Sequence, residues 1–231
     1  MKTKVKPPPA KGINKCVRIP SGDVFLLGDL QIPEEASALA LFAYYSGRSR
    51  NNPRNRHAAQ VIRSHGIGTL MCELLTEEEE IEDEATEKFR HDAEFLAGRL
   101  LQVMRWARSE PDIRDLPIGF FGACAGGAAA LIAAAKVPDE VGAVVCRGGR
   151  VDLASHALAD VKSPTLLIVG SEDTVGMEIN REALPRLRCK KQLVEVPGAT
   201  HFFGEPGKVE QMAQIAANWL RTHLTGSDRP V

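Results

Sequence analysis

Several things that common protein classes require are missing from this 231-residue chain. There is no C-x-x-C pair, and the five cysteines (Cys16, Cys72, Cys124, Cys146, Cys189) are odd in number and widely spaced. That excludes a disulfide framework and a zinc ribbon, and it fits a reducing cytoplasm. Charge of one sign is also lacking: 29 Lys plus Arg against 30 Asp plus Glu leave a formal net charge of -1. No global field draws the chain to nucleic acid or to an anionic membrane. Long apolar runs are absent. The longest weakly polar stretch, 123–135, is Gly/Ala-rich and too short for a hydrocarbon layer of roughly 30 Å. The basic, Pro-rich start, 1–12, has no apolar segment behind its charges, so a secretory signal is not expected. Neither a G-K-[ST] phosphate loop nor a G-x-G-x-x-G fingerprint occurs. His57, His65, His91, His156 and His223 show no metal-ligand spacing. A soluble protein with no metal, no cofactor, no nucleic acid and no membrane partner is expected, working on a small molecule as a monomer or homodimer.

What is present is a globular composition, 44% hydrophobic, long enough for one substantial core. Short runs rich in Val, Ile, Leu and Phe alternate with segments of helical period, the pattern of a mostly parallel sheet covered on both faces. Strands are expected at 15–19, 24–31, 37–44, 68–74, 117–121, 142–146, 165–169 and 192–196. Pro20, Ser21, Gly22 and Asp23 suit a hairpin joining the first two. Helices are expected at 54–64, 87–108, 125–136, 177–187 and 208–224, punctuated by Gly66, Pro111, Pro138 and Gly226. Residues 76–84, with six Glu and one Asp, are expected to form a solvated loop before the second helix. The domain spans 15–225, with flexible tails at 1–14 and 226–231. About 18 residues separate the sixth strand from the seventh, too few for a cap domain.

The fifth strand runs into Gly122-Ala123-Cys124-Ala125-Gly126-Gly127, a G-x-C-x-G turn at a strand-to-helix junction with cysteine where serine is usual. A nucleophile on so tight a turn takes a strained backbone, and its neighbours must be small because strand and helix nearly touch. All five neighbours are Gly or Ala. The helix N-terminus behind Cys124 favours thiolate over thiol. The bland alternative is a Gly-rich turn with an inert buried cysteine. In this arrangement an acid and then a histidine follow the nucleophile, each after a strand. The strand at 165–169 leads to Asp173, with Glu172 as a weaker candidate, and the strand at 192–196 leads to His201. His201 is the expected base, and Asp173 its orienter.

These residues resemble the dienelactone hydrolase family of α/β-hydrolases over roughly 16–224. The matches are Gly122 to Gly127, Gly170 to Asp173 and Gly198 to His201. The resemblance implies an α/β-hydrolase fold with eight strands, helices on both faces and no cap. It also implies a cysteine nucleophile that opens an enol-lactone, which assigns Cys124, Asp173 and His201 by position. The chain is similar as well to a bacterial subgroup of lidless serine hydrolases, some fused to phosphoribosyltransferases, through Pro53-Arg54-Asn55-Arg56 and Arg147-Gly148-Gly149-Arg150. It departs where that subgroup has His-Gly: here stand Tyr44-Tyr45, then Ser46-Gly47-Arg48. The glutamate that dienelactone hydrolases carry near this point is not visible either.

The expected oxyanion donors are the backbone N–H of Ala125 and that of Tyr45 or Ser46. Tyr44, Arg48, Arg50 and Phe202 are the expected substrate contacts. The tyrosines of this loop have three options: to narrow the pocket, to stack on an aromatic acyl group, or to spoil the hole. Arg48, Arg50, Arg54, Arg56, Arg147 and Arg150 are either anion ligands or structural ties, with Arg147 and Arg150 leaning to the latter. The expected substrate is an ester, lactone or thioester, an anionic one being the hypothesis the arginines raise. Acyl transfer or cyclisation through the same cysteine, and a retired fold acting as a binding module, are the rival readings.

Overall fold

A computed structural model describes residues 12–44 and 48–226. Its centre is an eight-stranded sheet in the order β1-β2-β4-β3-β5-β6-β7-β8. The strands are β1 (Ile13–Ser21), β2 (Val24–Ile32), β3 (Ala38–Tyr44), β4 (Ile67–Glu73), β5 (Ile118–Ala123), β6 (Val141–Arg147), β7 (Thr165–Gly170) and β8 (Lys191–Val196). Each lies where apolar runs place it. β2 pairs antiparallel with β1 and with β4, and all other neighbours are parallel. The edge hairpin shows alternating burial, whereas β3, β4, β5 and β7 are buried on both faces. That contrast explains why the central strands read as continuous hydrophobic runs.

Helices α1 (Arg48–Asn51), α2 (Pro53–Ser64), α3 (Glu77–Thr86), α4 (Ala93–Ser109), α5 (Ala125–Lys136), α6 (Thr174–Ala183) and α7 (Lys208–Thr225) complete the order. One core joins α4 and α5 to the face carrying Leu39, Leu41 and Ala43; the other joins α2 and α7 to the face carrying Ala40, Phe42 and Tyr44. Between β6 and β7, residues 148–164 hold only two single-turn 3-10 segments, Val151–Ala154 and Leu158–Asp160, and no cap domain. Among the described residues, no helix is long and apolar enough to cross a membrane.

Three expectations need correction. β1 starts at Ile13, inside the stretch expected to be tail, because Ile13 pairs with Ile32 and packs against the core. The acidic run is a helix rather than a loop. Thr76 and Glu79 form a reciprocal capping box, and Glu79 then takes both guanidinium nitrogens of Arg99 at 2.6 and 3.0 Å. Finally, α4 begins at Ala93 instead of residue 87. Glu87 is left-handed (φ 56) and ends α3, and Asp92 caps α4 through the Phe95 N–H at 2.9 Å.

Candidate active site

The end of β5 sets the geometry of the site. Cys124 takes φ 51 and ψ -126, a conformation that costs a non-glycine residue about 1–3 kcal/mol. It persists because the chain around it has no slack. A Cβ on Gly122 would collide with the Gly126 carbonyl, and one on Gly126 would collide with the Ala43 carbonyl of β3. The Cys124 carbonyl accepts from Gly127 N–H and Arg150 N–H, both at 3.0 Å, which ties the turn to the loop after β6. The side chain is thereby aimed at the carboxyl end of the sheet, where sites on such folds lie. Ala125 opens α5, so its N–H is one of the four that a helix leaves without an internal acceptor.

Two other strand ends supply its partners. The Sγ of Cys124 is 3.2 Å from Nε2 of His201, and Nδ1 of His201 is 2.7 Å from Oδ2 of Asp173. Asp173 caps α6 with its other oxygen, accepting from Gly176 N–H at 3.0 Å. One carboxylate therefore starts a helix and fixes the imidazole. Glu172 is exposed and accepts from the Ser171 hydroxyl at 3.0 Å, away from His201. Asp173 is the acid that the geometry joins to the histidine.

The charges are coupled. Burial pushes the Cys124 thiol up, but the His201 hydrogen bond, Arg147 and the imidazolium charge together outweigh it, against a small opposing push from Asp173. The net direction is down. His201 is raised to about 9, first by its bond to Cys124 and then, against burial, by Asp173. A thiolate–imidazolium pair is the state these shifts describe. The other thiols behave differently. Burial pushes Cys72 up and Cys146 up to about 12, and the hydrogen bond to Asp29 raises exposed Cys16.

A cleft of about 130 Å³ lies over Cys124, walled by Tyr44, Arg54, Ala123, Arg147 and Phe202. Phe202, 57% exposed, stands edge-on to the His201 ring at 4.9 Å, and the Arg54 guanidinium lies 5.7 Å from the Phe202 ring. Tyr44 and Phe202 are thus at the cleft, as the sequence suggests. Arg50 is not. Its Nη1 is 2.8 Å from Asp29 and its Nε 3.4 Å from Glu73, and it borders a separate groove. The carboxylates of Asp29, within β2, and Glu73, at the end of β4, hold it in that groove. Tyr45, Ser46 and the Arg48 side chain lie outside the described residues.

Arg150 is bound by Asp152 at 2.8 Å and is structural. Arg147, by contrast, turns to the cleft, and among the described residues no carboxylate pairs with it; its guanidinium sits 5.9 Å from the Phe203 ring. Arg147 and Arg150, alike in flanking the Gly148-Gly149 turn, therefore differ in surroundings: Arg150 is tied to Asp152, and Arg147 ends β6 and reaches the cleft wall. Position at the end of a central strand was the signal for it.

Residues 56–224 match the dienelactone hydrolase family. A solved dienelactone hydrolase from Anabaena variabilis is 46% identical and superposes with a TM-score of 0.88, covering 93% of this chain and 100% of that one. A lidless α/β serine hydrolase from Xanthomonas campestris shares the fold at 18% identity, with a TM-score of 0.71 over 93% of this chain and 96% of the other. A Mycobacterium tuberculosis protein named as a phosphoribosyl transferase is 46% identical over 210 residues, 91% of this chain and 46% of its own length. The chain thus spans a little under half of that relative, and the name describes the longer protein. Fold, matched residues and a 46% identical dienelactone hydrolase agree: the chain belongs to the dienelactone hydrolase family of α/β-hydrolases.

Proposed function

We propose that this hydrolase cleaves an ester, lactone or thioester through Cys124, His201 and Asp173, by way of an acyl-thioenzyme. The observation that carries the reading is the continuous chain from Sγ through the imidazole to the carboxylate, at 3.2 and 2.7 Å. The thiolate attacks the carbonyl carbon, and the oxyanion accepts from the Ala125 N–H. On collapse the C–O bond breaks, and the leaving oxygen takes the proton from Nε2 of His201. The acylated sulfur no longer carries charge. That removes the largest cause of the raised His201 pKa, so the imidazole becomes neutral and free to accept a proton from water. Water then attacks the thioester, the carboxylic acid leaves, and the proton returned through His201 restores the pair.

The preferred substrate in this reading carries an anionic group near the scissile bond. Arg147 beside the nucleophile and Arg54 at the exposed rim support it, the first as a cation without a carboxylate partner among the described residues.

Intact mass after mixing with an activated aryl ester tests the proposal. The expected result is a transient acyl adduct with steady turnover, absent from Cys124→Ala. An adduct that persists in water and clears only when an alcohol, amine or carbon acceptor is added would replace hydrolysis by acyl transfer. No adduct with neutral or carboxylated esters would refute the nucleophile.

A further inference from the structure

Tyr44 is the last residue of β3 and is 3% exposed, yet its hydroxyl is buried without a hydrogen-bond partner among the described residues. Leaving such a donor unsatisfied costs the full desolvation of the group. Packing does not explain it. The ring sits among Phe42, with centroids 5.7 Å apart, and the α2/α7 core, where phenylalanine would serve as well without the orphan group. Because the ring is enclosed in that core, its faces are not available for stacking on a substrate. The hydroxyl, enclosed in the resting protein as well, is the one polar group that the Tyr44 side chain brings to the cleft wall.

Its position follows from strand register. Ala43 of β3 is paired with Gly122 of β5, so Tyr44 stands beside Ala123 and the turn that carries Cys124. It walls the same cleft as Cys124 and Arg147, and both charges act on the phenol. Burial raises its pKa, which keeps it protonated and a donor at working pH. β3 is also the strand whose end supplies the second oxyanion donor in this fold. A side chain there thus has the chemistry and the address to join the main-chain donors.

We propose that the Tyr44 hydroxyl is a hydrogen-bond donor to the oxyanion formed when Cys124 attacks an acyl carbonyl. The inference rests on the acyl-thioenzyme reading above. As the Sγ–C bond forms, the carbonyl π pair moves to oxygen, which accepts from the Tyr44 O–H and the Ala125 N–H. When the C=O re-forms, the C–O bond to the leaving group breaks, that oxygen takes the His201 proton, and the Tyr44 bond lapses. The phenol transfers no proton. Its lone donor is left unmatched in the resting site and matched when negative charge develops, the condition for stabilising a transition state over a ground state.

Tyr44→Phe separates this role from any other. Two rates are measured at Cys124: acylation by a p-nitrophenyl ester and alkylation by iodoacetamide. Displacement at the saturated carbon of iodoacetamide creates no oxyanion. Acylation is expected to fall about 10²–10³-fold, the usual effect of removing one oxyanion donor, while alkylation stays within about twofold of wild type. Tyr44→Phe acylating at the wild-type rate overturns the proposal. A parallel loss of both rates also overturns it, since Tyr44 would then act on the thiolate. Wild-type protein that is alkylated at Cys124 but never acylated would overturn the acyl-enzyme reading itself, and Tyr44's role with it.

Discussion

Two recesses in this molecule differ in size and in what their polar groups are doing. The larger, about 660 Å³, lies between the β1–β2 hairpin and the acidic helix α3, with Phe25, Leu27, Arg50, Glu73 and Ile81 among its walls. The smaller, about 130 Å³, lies over Cys124. In the larger recess the inner charges answer one another as ion pairs: Arg50 lies between Asp29 and Glu73, at 2.8 and 3.4 Å, although the Arg50 Nε and Glu73 Oε1 atoms of the longer pair complete no hydrogen bond among the described residues. In the smaller one, the Cys124 sulfur and the His201 imidazole in contact, a guanidinium without a carboxylate and a phenol without an acceptor among the described residues border a common space. Volume favours the larger recess, whereas reactive groups favour the smaller one. Buried polar atoms without a hydrogen bond occur in both, so what distinguishes the smaller is a cysteine and a histidine in contact beside a cation that no carboxylate neutralises among the described residues.

Substitutions in the two recesses sharpen this contrast. The largest effect is expected for Cys124→Ala. Turnover of an activated aryl ester should fall at least about 10⁴-fold, as for loss of a nucleophile acting within a triad, while the thermal midpoint stays near wild type. His201→Asn comes next, with a loss of about 10²–10⁴-fold. It carries a second signature: burial then goes unopposed by the imidazole, so the inflection of iodoacetamide alkylation against pH moves upward from its depressed wild-type position. In wild type the ion pair is lost above about pH 9, where His201 gives up its proton. Esterase rate measured against pH should therefore decline on that side.

Arg147→Met is expected to have an intermediate effect, roughly tenfold on alkylation at neutral pH, since a nearby cation typically moves a pKa by about a unit or more. Its KM should rise for carboxylated esters more than for neutral ones. Arg50→Met, in the larger recess, is expected to leave kcat and KM within about twofold and to act on stability instead. Glu73 is held near 7, raised first by burial against the pull of Arg50. A carboxyl raised above its unfolded value binds its proton more firmly in the native state, so stability falls as pH rises from about 4.5 to about 7. Removing Arg50 leaves the buried Glu73 and the largely enclosed Asp29 without their cation. The drop in thermal midpoint should be larger at pH 8 than at pH 5, a loss of about 1–3 kcal/mol at the higher pH after allowing for partial exposure. A change in KM without a change in midpoint would reverse the roles given to the two recesses.

The two recesses were not equally legible in the sequence. The elbow was readable because its constraints are local: small residues must flank Cys124 where α5 crosses β3 and β5, and they do. Asp173 and His201 were readable because strand ends are marked by the change from apolar runs to Gly, Ser and Thr. The arginines were not. Which of Arg50, Arg147 and Arg150 reaches the cleft depends on the carboxylates that meet each one, Asp29 and Glu73 for the first and Asp152 for the last, and those partners are up to 23 positions away in the chain. The helix at Glu77–Thr86 was hidden by composition, since six glutamates look like a solvated run. Its start was nevertheless written in Thr76-x-x-Glu79, a capping-box spacing. The orphan hydroxyl of Tyr44 could be found only once β3 and β5 were in register.

Exposure and reactivity point to different cysteines here, and that conflict gives the most direct test. Cys16 is exposed but its thiol is raised by Asp29; Cys124 is half-buried but lowered by its surroundings. Limiting iodoacetamide at pH 7, followed by peptide mass mapping, sets the two against each other in one protein. Cys124 is expected to be labelled first, and its labelling to abolish ester turnover in step. Label on Cys16 ahead of Cys124, or turnover that survives full modification of Cys124, would contradict it.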